Sequence, residues 1–302
     1  SKAWSIRDPP LPGGRAMASV SLIIPAHDES ATLERGLRNV LTQACDDLDI
    51  EVIVVANGCT DDTVAIAEGL VGEFSAAGID LQVHDDPVAG KTAALNFGDQ
   101  CARGDVLFYC DADITMAPGT LRAMTSALQD PDIDLVSASQ DYAMPQNRIV
   151  RGWANCYHAS PYQRGDDVVH GLFGVTRAGR SRFGSFPETM ADDRYLSLIF
   201  GRHERQRVDD AVIQIHYTES PAELIDQQAR WTANNADIDR RFPELLADNA
   251  PAHNANRWPY FERPLPTVID MACYGLVTVS ARLRVLMRRS QILSRWDRAR
   301  PA

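Results

Sequence analysis

Four apolar runs, at residues 20–25, 50–55, 81–84 and 106–110, recur through the first third of the chain, with helical spacing in the intervals between them. Leu33, Leu37, Val40 and Leu41 repeat at the period of a helix packed on one side, and Ser30 is its expected N-cap. Asp61 and Asp62 open a second helix over 63–70, with acids at the positive end of its dipole. Residues 90–100 turn from a loop into a third. Strand and helix thus alternate over about 120 residues, the signature of parallel strands joined by right-handed crossovers. Residues 106–109 carry no charge, as suits a strand covered on both faces. The expected fold class is α/β: a Rossmann-like, mostly parallel sheet flanked by helices, with a C-terminal helical extension.

Beyond Leu121 the pattern changes. Residues 135–139 read as a further strand, 192–200 as a helix, 211–217 as a strand and 222–239 as a strong helix, while the stretch up to Gly184 is Gly-rich and polar. Residues 243–266, rich in Pro and Asn, read as a wrapping loop or linker. The expected divisions are a tail over 1–18, a catalytic domain over 19–220 and a helical extension over 221–302. Within that extension, residues 268–287 are apolar but hold Asp270, Arg282 and Arg284, so a packed or interfacial helix is expected rather than a membrane span.

The net charge of -11 disfavours nucleic acid as a partner, because phosphate backbones need a basic surface. Six cysteines without Cys-x-x-Cys spacing argue for a reducing compartment rather than disulfides or zinc. Residues 1–18 lack the apolar core of a signal peptide. A cytoplasmic protein is expected. From 282 to 300 the charge reverses: seven arginines stand against Asp297. A contact with the inner face of a membrane is one reading of that tail, and an ordinary packed helix is the other.

Asp111-Ala112-Asp113 follows the fourth run directly. Two carboxylates one residue apart, where a strand frays into a loop, suit a hard cation such as Mg²⁺, which is held by one or two carboxylates plus substrate phosphates. The carboxyl edge of a parallel sheet is also where open α/β sheets bind ligands. Turn-forming aspartates are the plainer alternative. No G-x-G-x-x-G follows the first run and no P-loop is present, which excludes a dinucleotide-binding dehydrogenase and a P-loop kinase.

Six motifs in order resemble the family-2 glycosyltransferases, inverting enzymes of GT-A fold, over about residues 19–235. Residues 21–29, ending Pro25-Ala26-His27-Asp28-Glu29, look like that family's opening strand and Pro-x-x-Asn-Glu loop. Residues 54–63 look like its second-strand motif, although Ala56-Asn57-Gly58-Cys59 stands where Asp-Asp-Gly-Ser is usual. Gly90-Lys91-Thr92-Ala93-Ala94-Leu95-Asn96, Asp111-Ala112-Asp113 and Ala191-Asp192-Asp193 followed by Leu196-Ser197 are similar to three more. Gln227-Gln228-Ala229-Arg230-Trp231 matches the Gln-x-x-Arg-Trp motif of the branch that includes cellulose and hyaluronan synthases, here without their membrane segments.

The resemblance implies Mn²⁺ or Mg²⁺ as cofactor. It implies a nucleoside-diphosphate sugar as donor, UDP-sugar first, with GDP- or TDP-sugar as alternatives after the Ala56-Asn57 departure. The acceptor stays open: a small molecule, glycan or lipid-linked hydroxyl. Asp193 is the candidate base, with Asp192 beside it, or both are helix-start acids. Asp113 is the candidate metal ligand, with His216 as a further ligand or a core histidine. Pro25, Ala26, Glu29, Asn57, Lys91, Asp111, Ala112, Gln227, Arg230 and Trp231 are candidates for the nucleotide-sugar. His170, Gly171 and Trp231 are candidates for the acceptor. Two other functions compete: a degenerate nucleotide-sugar-binding protein, and a sugar-1-phosphate nucleotidyltransferase. The loop after Pro25 has no glycine, which argues against the latter.

Overall fold

From Val20 to Ala26 every residue of β1 (Ala18–Ala26) is buried. Val20, Leu22 and Ile24 face one apolar cluster and Ile23 the other, so the two-residue period of a strand places core on both sides. The computed structural model describes residues 17–160, 171–249 and 265–293. Around β1 lie β2 (Leu48–Asn57), β3 (Asp80–Asp86), β4 (Val106–Cys110), β5 (Thr115–Met116), β6 (Leu135–Ala143), β7 (Leu172–Thr176) and β8 (Arg205–His216). They form one eight-stranded sheet in the order β3-β2-β1-β4-β7-β6-β8-β5.

β1, β2, β3 and β4 pair in parallel; β7 runs antiparallel to both β4 and β6, and β8 pairs in parallel with β6. Six carboxyl ends therefore open at one edge, those of β1, β2, β3, β4, β6 and β8. β7 begins there, with Leu172 opposite Cys110. The sheet is mainly parallel and flanked by helices, as the alternation of runs implies.

On one face pack α1 (Leu33–Val40), α2 (Thr63–Gly69), α3 (Val71–Ala76) and α5 (Thr120–Ala127), through Leu37, Phe74 and Leu121. α4 (Lys91–Cys101) and α8 (Asp192–Ile199) cover the other through Leu95 and Leu196. α7 (Arg177–Arg180) follows β7. α6 (Arg148–His158), α9 (Pro221–Arg241) and α11 (Val268–Leu293) gather around Val150, Trp153, Leu224 and Val277.

Three expectations change. Ser30 does not cap α1; its N–H donates to Asp61 Oδ2 (3.1 Å) and the helix starts at Leu33. The polar stretch up to Gly184 contains α6 and β7. β7 carries Gly174 because a Cβ there would lie 2.3 Å from the Phe108 ring, so its apolar pattern is interrupted. The expected linker begins with a helix, α10 (Pro243–Asn249), and its residues 250–264 lie outside the described set.

α1 runs directly over the turn after β4. A Cβ on Gly36 would come 2.7 Å from the Ala112 carbonyl oxygen. Gly36→Ala should cost about 1–3 kcal/mol through this overpacking against rigid backbone. Urea unfolding of the variant beside the parent measures it, and an unchanged midpoint would show that the turn yields freely.

Candidate active site

Lys91 opens α4, Asp111 directly follows β4 and Asp192 opens α8, and the sheet edge brings the three to one point. Lys91 Nζ lies 3.0 Å from Asp111 Oδ1 and 2.9 Å from Asp192 Oδ1. The Asp192 side chain is 2% exposed and that of Lys91 17%, so the group is largely withdrawn from water. Burial raises the Asp192 carboxyl above the carboxylate range; the Lys91 ammonium opposes this, while Asp193 and Asp111 add to it. Burial likewise raises Asp193, against Lys91 and the Arg194 N–H, which donates to Asp193 Oδ1 at 2.6 Å. For Lys91, burial works against the charge, and Asp111, Asp192 and Asp193 together more than restore it.

α9 is fastened to this point twice. Arg194 binds Asp239 through Nη2 (2.8 Å) and Nε (3.0 Å). Buried Asn234 donates to the Arg230 carbonyl (2.9 Å) and accepts from the Met190 N–H (3.4 Å), just before the acidic pair. Arg230 and Gln227 are half-buried on this helix, whereas Trp231 is 47% exposed. Gly171 adjoins as well: in left-handed backbone at φ 78°, it accepts the Asp111 N–H at 2.9 Å. A side chain there would press on Ile213 and Ile114.

The loops after β1 and β2 clasp one another. Asp28, at φ 51°, accepts from the Thr60 N–H (2.6 Å), and Asp61 accepts from the Ser30 and Thr63 N–H groups. Partial burial would raise Asp61, but these hydrogen bonds and the Thr63 hydroxyl hold it down at about 2. Glu29 takes the Thr32 hydroxyl on Oε2 (2.6 Å) and gives its own N–H to Thr63 Oγ1 (2.8 Å). Pro25 and Ala26 are buried at the strand end and Ala112 is buried in the turn.

Asn57 is fully buried. Its amide nitrogen donates to the Val88 (3.2 Å) and Gly90 (2.8 Å) carbonyls, so it secures the approach to Lys91, while its Oδ1 is buried without a hydrogen-bond donor. Asn57 stands in the sequence as a nucleotide candidate, and no local pattern signals this anchoring. The clasp of Asp28 and Asp61 is equally hidden, its only signal being two Asp-containing loops at neighbouring strand ends.

Among the described residues, one set of three metal-ligand side chains lies within 4.8 Å of one another: Asp28, Cys59 and Asp61, the clasp itself. Asp111, Asp113 and His216 are not such a set. Asp113 is half-buried in the turn, and His216 is exposed at the end of β8, opposite Ala143. His170 lies outside the described residues.

The Glycosyl transferase family 2 profile matches residues 21–183, more than half of the chain, and the chain belongs to that family. Glycosyltransferase AglE of Haloferax volcanii is 31% identical over 127 residues, which are 42% of this chain and 40% of that protein. AglD of the same organism is 29% identical over 134 residues, 43% of this chain and 21% of AglD. The chain thus spans well under half the length of these relatives. Mannosyltransferase PcManGT from Pyrobaculum calidifontis, solved with GDP-Man and Mn²⁺, superposes with a TM-score of 0.59 at 20% identity, covering 91% of this chain and 76% of its own. The fold is that of GT-A glycosyltransferases.

Removing the ammonium should expose its importance. Lys91→Met leaves the buried Asp192 and half-buried Asp111 carboxylates without their counter-charge and should destabilise by about 3 kcal/mol, with part of the loss recovered when Asp192→Asn is added. Denaturant titration of both single variants and the double variant gives the coupling; additive losses would refute it. Asn57→Asp should also destabilise, by about 2–4 kcal/mol, because a carboxylate cannot donate to the Val88 and Gly90 carbonyls. Its melting temperature relative to the parent reads this directly.

Proposed function

We propose a metal-dependent inverting glycosyltransferase that moves a sugar from a nucleoside-diphosphate sugar to an acceptor hydroxyl by single displacement. The observation that carries this reading is the Lys91 bridge, which joins the Asp111 turn and the Asp192-Asp193 helix start at the carboxyl edge of the sheet. PcManGT, of the same fold, was solved with a nucleotide sugar and Mn²⁺, which supports the class of donor.

Asp192 is 1% exposed and paired with Lys91, so its role is to hold the lysine. Asp193, half-buried beside it, is the base that takes the proton as the acceptor oxygen attacks the anomeric carbon and the bond to the diphosphate breaks. A raised carboxyl suits that role, since a stronger base moves the proton further in the transition state.

The donor types suit a hard cation: carboxylate oxygens in a turn at the sheet edge, with Asp111 already engaged by Lys91 and Asp113 two residues on. Asp113 would hold Mn²⁺ or Mg²⁺, with His216 as a further candidate, and the ion would act as a Lewis acid toward the departing diphosphate. Asp111 then serves the ribose or sugar, together with Glu29 and the loop ends at Pro25 and Ala26. Arg230 suits the diphosphate because its guanidinium donates two parallel hydrogen bonds. Gln227 and Arg230 extend the donor side on α9, and exposed Trp231 and Gly171 line the acceptor side. In this reading α9 carries the Gln-x-x-Arg-Trp motif of the synthase branch, and the acceptor is reached through a peripheral membrane contact.

Thermal shift with UDP, GDP, TDP, ADP and CDP, each with and without Mn²⁺, tests the donor. A ligand at about a hundred times its Kd adds about 2.7 kcal/mol of stability. One diphosphate stabilising only with metal is the expected result; no shift with any would favour a degenerate fold. With that donor in hand, Asp193→Asn should cut transfer about 100- to 10,000-fold while leaving the thermal shift intact. Retained activity would remove Asp193 from the role.

A further inference from the structure

α11 has two apolar faces, and one of them is used. Val277, Ala281 and Ile292 are buried with residues of α6 and α9. Away from these, Ile269, Ala272, Leu276, Val279, Leu283 and Leu286 follow one another at intervals of three and four residues, which keeps them in one stripe. The five large side chains of the stripe are 52–81% exposed. Val268 and Met287, at 78% and 74%, extend the patch at its two ends. The helix has 26 residues and is therefore about 39 Å long. The stripe with its two ends runs over residues 268–287, about 30 Å of that length, and so long an exposed apolar patch is uncommon unless something covers it.

Charge selects what covers it. Asp270 is the one acid of α11, and its carboxylate is occupied by the Thr267 N–H (2.9 Å), the Thr267 hydroxyl (2.8 Å) and Asn155 Nδ2 (3.1 Å). The helix also carries Arg282, Arg284, Arg288 and Arg289 in a chain whose net charge is -11. Arg284 pairs with Asp226 of α9, and Arg282 is exposed beside the stripe. Two copies joined stripe to stripe would set their Arg282 side chains along the seam with no free carboxylate on α11 to meet them. An apolar stripe edged by arginine matches an interfacial helix on anionic lipid. No described helix is long and apolar enough to cross a membrane.

The geometry points to α11 as a lipid-docking helix that lies on an anionic bilayer surface through this stripe. The inference rests on the peripheral contact in the functional reading above but not on its chemistry. α6 and α9, on which α11 packs, follow β6 and β8, whose carboxyl ends belong to the site edge. Docking there would hold these two helices, and with them the sheet edge they follow, close to the lipid.

Vesicle co-sedimentation of the whole chain tests this without donor or acceptor, so its failure is separate from failure of the transfer chemistry. The parent should pellet with phosphatidylcholine vesicles containing phosphatidylglycerol and stay in solution with phosphatidylcholine alone, and high salt should weaken the binding. Leu276→Glu with Leu283→Glu should lower the partition coefficient tenfold or more, on the order expected for losing two buried aliphatic chains. Arg282→Ala should lower it about fivefold. These exposed positions leave the core intact, which an unchanged melting temperature would verify. Equal binding to neutral vesicles, or binding untouched by the leucine substitutions, would overturn the proposal. So would sedimentation velocity showing a dimer that the leucine substitutions dissociate, because a second copy would then own the stripe.

Discussion

The Lys91 ammonium between Asp111 and Asp192 is the interaction on which the rest of the site depends. Its three members come from the start of α4, the turn after β4 and the start of α8, far apart in sequence and fixed by different packing. Buried ionic groups contribute little net stability over apolar packing, yet removing one member leaves an uncompensated charge. The group therefore acts chiefly as a positional constraint. It sets the distance between the aspartate turn and the acidic helix start, and α9 is then referred to that start through Arg194–Asp239 and Asn234.

The neighbouring loops are pre-organised in a different way. Asp28, Asp61, Glu29 and Asn57 spend their side chains on backbone N–H groups, hydroxyls and carbonyls. Each bond fixes a stretch of chain that no sheet ladder reaches. Because the Asp61 carboxyl is held at about 2, the clasp between the first two loops keeps its charge across the neutral range. Asn57 gives a physical reason for a departure from the family motif. An amide can donate to two carbonyls and so hold the segment before Lys91, a task beyond any carboxylate.

The parallel half of the fold was legible because its strands are covered on both faces, and residues such as Ile23 and Val54 then form unbroken apolar runs. Motif order was legible for the same reason: short loops at consecutive strand ends leave little room for rearrangement. β7 was not, since Gly174 breaks a five-residue strand to make room for Phe108. The start of α1 was misplaced because Ser30 looks like a cap in sequence but is drawn to Asp61 in space. Pairing of Lys91 with both Asp111 and Asp192 spans about a hundred residues, and no local pattern encodes it.

α11 shows how one periodicity can hide two messages. Its exposed stripe repeats at intervals of three and four, and its buried residues Val277, Ala281 and Ile292 repeat at nearly the same period half a turn away. Summed along the helix, the two faces partly cancel, and the segment looks like a diffuse apolar run rather than an amphipathic one. Packing separates them. The buried face is built from Val, Ala and Ile against α6 and α9, whereas the open face keeps Leu, Ile and Val with arginine at its border. A helix selected only to complete the core would gain nothing from large aliphatic side chains on its far side, where each exposes area to water. So many on one open face suit a second apolar environment. With the sole acid of the helix already committed to Thr267 and Asn155, the anionic lipid proposed above would supply that environment and a counter-charge for Arg282.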